Sequence, residues 1–126
     1  MSDVTVKRLQ EFENNHGFYY RARAGLGVTA FGLAVESWPP NYADYPEHDH
    51  SEDGQEEVYV VLEGSCVLRA GGDEYTLEQG MFARVGPTTR RKILPGASGV
   101  KLLCIGGVPG GVYQAPSFTE NGAPWR

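Results

Sequence analysis

Apolar and polar positions along this chain alternate over short stretches, and turn residues interrupt them often. Alternation with period two sends successive side chains to opposite faces of a strand. Residues 18–23 and 28–38 are rich in aromatic and β-branched residues and read as strands. In the second run Thr29, Phe31, Leu33 and Val35 share one face, and Val28, Ala30, Gly32 and Ala34 the other. The small side chains of the latter face imply that something packs closely against it. Pro39 and Pro40 end the run, because proline cannot continue a ladder. A further strand opens at Glu57, where Glu57, Tyr59 and Val61 point one way and Val58, Val60 and Leu62 the other. Both faces are apolar past Glu57, so both need cover. The outer face then calls for an N-terminal segment or a second subunit, and a homodimer is the expectation.

The segment 65–79 sets its own register. A two-residue turn at Gly71-Gly72 pairs Arg69 with Glu74, Leu68 with Tyr75, Val67 with Thr76 and Cys66 with Leu77. Residues opposite one another share a face, so Cys66, Leu68, Tyr75 and Leu77 point inward while the opposite charges meet outside. A last strand spans 99–105, with Lys101 toward water and Leu102 and Cys104 inward. Residues 4–15 are the one predicted helix, on a short, weak stripe of Val6, Leu9 and Phe12 or Glu13, with Asn14-Asn15-His16-Gly17 as its stop. His16 is expected to be solvated. The tail, 114–126, lacks periodicity and is expected to wrap the body with Val112, Tyr113 and Phe118 as anchors.

Composition narrows the class. The chain has 126 residues, enough for one domain with a real core, residues 1–126. Seventeen glycines and eight prolines favour short strands and tight turns over long helices. The net charge of −5 fits neither phosphate backbones nor anionic membranes, so no nucleic acid and no membrane partner is expected. The N-terminus lacks a signal-peptide apolar region, and two cysteines far apart make no disulfide framework. Both features point to a cytoplasmic protein with reduced thiols.

The candidate chemistry sits between Tyr45 and Gly64. His48 and His50, two apart in an extended segment, present their rings to one side. Glu57 opens the next strand and supplies a carboxylate if that strand returns beside them. Two histidines and one carboxylate suit non-haem iron and similar divalent metals. The acidic loop between them, including Glu52 and Asp53, reads as a solvated turn.

This stretch resembles the first signature motif of the cupins: His48-Asp49-His50, a spacer, Glu57, then six residues to Gly64. The spacer here has six residues, longer than is usual in the family. At the usual spacing stand Gly54 and Gln55, so Gln55 is an alternative neutral oxygen donor. Gly80 to Gly96 resembles the second motif in part. Aligning Gly80 and the Gly86-Pro87 turn puts Arg91 where a ligating histidine stands in the family, and Met81 where an acidic residue is common. The resemblance runs from Tyr45 to Ile105. It implies an all-β, antiparallel double-sheet jelly-roll barrel, its core at about residues 18–106, with the short helix and the tail flanking it.

A guanidinium stays charged and cannot ligate a metal. Arg91 therefore has two readings: exposed beside Arg90, or turned inward, where it pairs with Glu57 or clamps a substrate carboxylate bidentately. Tyr59, on the face of Glu57, is either core or a pocket hydroxyl. Two functions follow. One is a small-molecule-binding oxygenase or isomerase with a divalent metal (Fe, Mn, Zn or Ni) on His48, His50 and Glu57, and with Arg91 and Tyr59 on a small, anionic organic substrate. The other is a metal-free, non-enzymatic ligand-binding protein.

Overall fold

The computed structural model describes residues 2–125. The chain forms β1 (Tyr19–Tyr20), α1 (Ala22–Leu26), β2 (Gly32–Trp38), β3 (Glu56–Ala70), β4 (Asp73–Glu78), β5 (Phe82–Val85) and β6 (Arg91–Gly107), with single 3-10 turns at Leu9–Glu11 and Ser117–Thr119. All pairings are antiparallel and belong to one sheet of order β1-β2-β6-β3-β4, with β5 also on β3. No helix among the described residues is long and apolar enough to cross a membrane.

The two long strands carry the architecture. β6 runs along β3 from Gly107 to Arg91, with register shifts between Val61 and Glu63 and between Gly64 and Cys66. An irregular register bends a strand and increases its twist. Gly64 sits at the shifts with φ +76°, and a Cβ placed there would lie 2.1 Å from the carbonyl oxygen of Gly99. Only glycine fits both constraints. The bend lets the inner faces of five strands share one core: Ala34 from β2, Tyr59 and Leu68 from β3, Leu77 from β4, Val85 from β5 and Leu102 from β6. Tyr45, in the loop before the histidines, joins it.

The hairpin has the expected register, including Cys66 with Leu77 and Arg69 with Glu74. Cys66, Leu68 and Leu77 are buried, but Tyr75 keeps 50% of its surface exposed. On β2 the small face meets the expected close neighbour: a Cβ at Gly32 would lie 2.9 Å from the Tyr113 hydroxyl. The strand itself begins at Gly32, four residues later than its pattern suggests. On β3, Val60 is buried within the single chain, whereas Leu62 and, on β5, Phe82 stay exposed.

The N-terminal half differs most from expectation. Residues 4–15 form no α-helix; they hold one 3-10 turn. Val4, Thr5 and Val6 are β-branched and lose side-chain freedom in a helix, and Phe12 leaves the local stripe to seat against Gly25. The expected strand over 18–23 stops after Tyr20, and Ala22–Leu26 becomes α1. Alanine, arginine and leucine favour helix there, and Gly27 at φ +81° ends it as a left-handed cap.

The tail is held by two buried arginines, not by the three expected anchors alone. Val112 is 82% exposed. Arg21 donates from Nε to the Phe118 carbonyl at 2.9 Å, from Nη2 to the Ala123 carbonyl at 2.9 Å and from Nη1 to Glu13 at 2.7 Å. Its guanidinium lies 3.6 Å from the centre of the Trp125 ring. Arg23 reaches Glu120 at 2.7 Å. Phe118 itself packs on Tyr19, as the tail reading expected.

Replacing Gly64 with alanine is expected to cost at least about 2 kcal/mol, because the new Cβ meets backbone at positive φ. Urea unfolding of the two proteins measures it, and an unchanged midpoint contradicts the bend described above. Cys66 and Cys104 are 2% and 6% exposed, and burial pushes both thiols up. Neither is expected to react with a thiol reagent until the protein is denatured.

Candidate metal centre

The segment before β3 is tied to the start of β6. His48 and Arg91 form an antiparallel bridge, with His48 N–H donating to the Arg91 carbonyl at 3.0 Å and Arg91 N–H returning to His48 at 2.8 Å. His50 N–H donates to the Pro87 carbonyl at 2.8 Å. These backbone bonds bring the two histidines over Glu57 on β3. One donor atom each from His48, His50 and Glu57 lies within 4.8 Å of the others.

The ring orientations follow from their other nitrogens. His48 Nδ1 lies 2.9 Å from the Pro46 carbonyl, which can only accept, so Nδ1 carries the proton. His50 Nδ1 lies 3.0 Å and 3.1 Å from the two Asp53 carboxylate oxygens, so it also donates. Each ring then turns its Nε2 toward Glu57. His50 Nε2 is 3.1 Å from Glu57 Oε1 and His48 Nε2 is 3.9 Å from it. His50 Nε2 is nevertheless buried without a hydrogen-bond partner of suitable geometry. An orphaned imidazole nitrogen beside a second imidazole and a carboxylate fits a cation of ligand-binding size. Nδ1 bonds that lock both rings are the outer-shell arrangement that metal-ligating histidines use.

Glu57 is the crowded point. Its Oε1 also accepts the Tyr59 hydroxyl at 2.8 Å and Arg91 Nη1 at 3.1 Å. Burial pushes this carboxyl up, but His48, His50 and Tyr59 overcome it and hold the group well below the usual carboxylate range. The same carboxylate raises the His50 pKa, with burial opposing. Arg91 is fully buried, as the inward reading requires, and its Nη2 donates to the Gly86 carbonyl at 2.7 Å. Tyr59 is 1% exposed, and its hydroxyl is spent on Glu57. Neither Arg91 nor Tyr59 offers accessible surface; both act on the site through Glu57.

Gln55 is buried and its amide donates to Asp53 at 3.0 Å, outside the three-residue donor cluster. Asp53 is therefore not a merely solvated turn residue, since it orients His50 and Gln55 together. Glu36 escaped the sequence reading altogether. It lies on the inner face of β2, accepts the Trp38 indole N–H at 3.0 Å and is pushed up by burial, with Glu57 adding to the rise. An isolated acid between Ala34 and Trp38 on an inward parity was the signal for it.

A cleft of about 690 Å³ opens between β4 and β5, floored by Leu68, Leu77 and Val85 and rimmed by Tyr75, Met81 and Phe82. None of the donor residues lines it. Gly86, whose carbonyl holds Arg91, is the point where the cleft meets the site.

A bent antiparallel sheet with two histidines and a glutamate over its inner face defines a class of small β proteins. The family model for the cupin domain matches residues 34–106, and the chain belongs to that family. In fold it is similar to a cupin protein from Bacteroides fragilis, at TM-score 0.73 and 19% identity over 100% of both chains. It is also similar to a predicted oxalate decarboxylase from Thermotoga maritima, at TM-score 0.67 and 18% identity over 82% of this chain and 99% of that one. A sugar phosphate isomerase from Silicibacter pomeroyi matches at TM-score 0.62 and 22% identity over 71% and 57%. No curated protein matches the sequence.

Glu57→Ala leaves Arg91 as an uncompensated buried charge and is expected to cost about 3–5 kcal/mol. The pH dependence has a definite sign. A depressed carboxyl stabilises the fold fully above its unfolded pKa, and this contribution is lost as pH falls through the folded value. The stability gap between wild type and Glu57→Gln should thus persist through mildly acid pH and close only in strong acid. Urea titrations from neutral to strongly acid pH measure that gap; a gap already closed at mildly acid pH contradicts the depressed Glu57 carboxyl.

Proposed function

We propose that this chain is a small-molecule-binding cupin that holds a divalent transition metal (Fe, Mn, Zn or Ni) on His48, His50 and Glu57. The orphaned His50 Nε2, aimed at the Glu57 carboxylate beside His48, carries this reading. A bound metal of this kind supplies a Lewis acid and open positions that orient a substrate or activate water or oxygen. The chain's own residues set the terms. Asp53 and the Pro46 carbonyl fix the rings, and Tyr59 and Arg91 fix the carboxylate. Arg91 adds a positive charge behind Glu57, which weakens the metal and favours a small anionic ligand over it. Oxygenase or isomerase chemistry is the reaction class, on a double-sheet jelly-roll barrel.

The Arg91–Glu57 pair favours a second reading. At 3.1 Å the guanidinium already satisfies the carboxylate that a metal would otherwise neutralise. The protein is then a metal-free binding protein with the same ligand preference. Under either reading it is a cytoplasmic homodimer, on the strength of its two unpaired cysteines and its exposed Leu62 and Phe82.

Calorimetric titration of wild type and Arg91→His with cobalt or zinc at neutral pH separates the two. The metal reading expects one equivalent bound by wild type, tighter binding by the variant, and loss of both as the imidazoles protonate in acid. No binding by wild type together with binding by the variant establishes the metal-free reading. If neither binds, His48 and His50 are structural.

A further inference from the structure

Arg91 and Tyr59 are sealed inside the protein, so the surface that selects a ligand belongs to other residues. Gly32, Gly106 and Glu57 lie side by side across β2, β6 and β3. Paired residues share a face, so both glycines sit on the face that carries Glu57. They leave a shelf beside the carboxylate, and two other side chains reach over it. A Cβ at Gly106 would lie 2.4 Å from Gln55 Oε1 and 3.7 Å from Glu57 Cγ. A Cβ at Gly32 would lie 2.9 Å from the Tyr113 hydroxyl. The tail delivers Tyr113. A turn closed by Gly111 N–H on the Val108 carbonyl at 3.1 Å follows β6, and Arg21 and Arg23 hold the chain beyond it.

Neither polar group over the shelf is spent. Gln55 gives its amide N–H to Asp53 at 3.0 Å, which leaves Oε1 over Gly106. Among the described residues none donates to that oxygen, although Gln55 is only 5% exposed. The Tyr113 hydroxyl likewise has no hydrogen-bond partner among them, and its side chain is half-buried. An acceptor this enclosed calls for a donor from outside the chain. Burial raises the Tyr113 phenol; Arg23 opposes the rise, and Asp53, Glu120 and Glu57 add to it. The phenol therefore stays protonated and can donate. Three carboxylates against one guanidinium also make the shelf a poor seat for a ligand's negative charge and a good one for a neutral hydroxyl.

We propose that Gln55 and Tyr113 form the selecting subsite of this protein and that its ligand is a small hydroxy acid. A ligand hydroxyl donates to Gln55 Oε1 and accepts from the Tyr113 hydroxyl, while the ligand carboxylate lies toward His48 and His50. The spacing suits one bridging group. Paired positions on one face lie about 4.5–5.5 Å apart, and two hydrogen bonds of about 2.8 Å that meet at one oxygen cover that span. Bulk at Gly32 or Gly106 would fill the shelf, which gives the two facing glycines a reason beyond the backbone. The inference rests on the small-anion reading above and names what distinguishes one anion from another.

Calorimetric titration with glycerate and gluconate, and with their deoxy analogues propionate and hexanoate, tests it in zinc-free and zinc-loaded protein. Wild type should bind each hydroxy acid about tenfold more tightly than its analogue. Tyr113→Phe keeps the ring and removes one oxygen. It should weaken the hydroxy acids about tenfold and leave the deoxy acids unchanged. Gly32→Ala pushes the ring tip aside and should have the same effect alone, but none when added to Tyr113→Phe. Urea midpoints identify any variant that has lost its fold, and the Tyr113→Phe comparison stands without Gly32→Ala. Equal affinity of wild type and Tyr113→Phe for the hydroxy acids overturns the subsite and leaves the small-anion reading in place. A parallel loss for both acid classes shows a general packing role for Tyr113 and also overturns it. A wild type that binds none of the four acids sinks the subsite and the small-anion reading together.

Discussion

A buried carboxylate oxygen holds the interior of this protein together. Glu57 Oε1 receives the Tyr59 hydroxyl and Arg91 Nη1 and faces Nε2 of both histidines. A full positive charge at Arg91, without any exposure, is tolerable only because that oxygen and the Gly86 carbonyl receive it. Arg91 in turn begins β6, and its backbone carries the bridge that seats His48. The ion pair therefore links the register of the longest strand to the geometry of the site. In this cupin, fold stability and site electrostatics share one contact.

Arg91 also gives the site its particular character. Where the family resemblance places a third imidazole, this chain places a fixed cation. A divalent ion on His48, His50 and Glu57 would share the carboxylate with a guanidinium 3.1 Å away. The two charges repel, and the repulsion lowers metal affinity. The two proposed readings, a weakly bound metal with an acidic substrate or an acidic ligand alone, both start from this pair. The similar folds, all under 25% identical where described above, speak to architecture and leave that choice to the residues.

Around the tail, Arg21 and Arg23 use the same physics for a structural end. Each is buried and donates to at least one carbonyl or carboxylate of the tail, about a hundred residues away in sequence. They turn an aperiodic tail into a fixed part of the body. Fork-shaped donors suit this work because one side chain can satisfy several separate acceptors.

Local pattern determined a good part of this. The β4 hairpin register followed from two glycines and the separation of polar and apolar parity, because cross-strand pairs depend only on neighbours in sequence. The histidine pair, Glu57 and the inward parity of Cys66 and Cys104 were legible for the same reason. Gly64 was legible as a motif position, although its cause, the approach of the Gly99 carbonyl, lies 35 residues away. Tertiary structure alone decided the rest. It seated Phe12 against Gly25 of α1 rather than in a local helical stripe, and it left residues 4–8 without helix or strand. It chose the inward orientation of Arg91, drew Asp53 from the acidic loop onto His50, and set Glu36 on the inner face. In each case the deciding partner is distant in sequence or sits across a loop. Charge and hydrogen-bond satisfaction depend on who arrives there, and no local periodicity records that arrival.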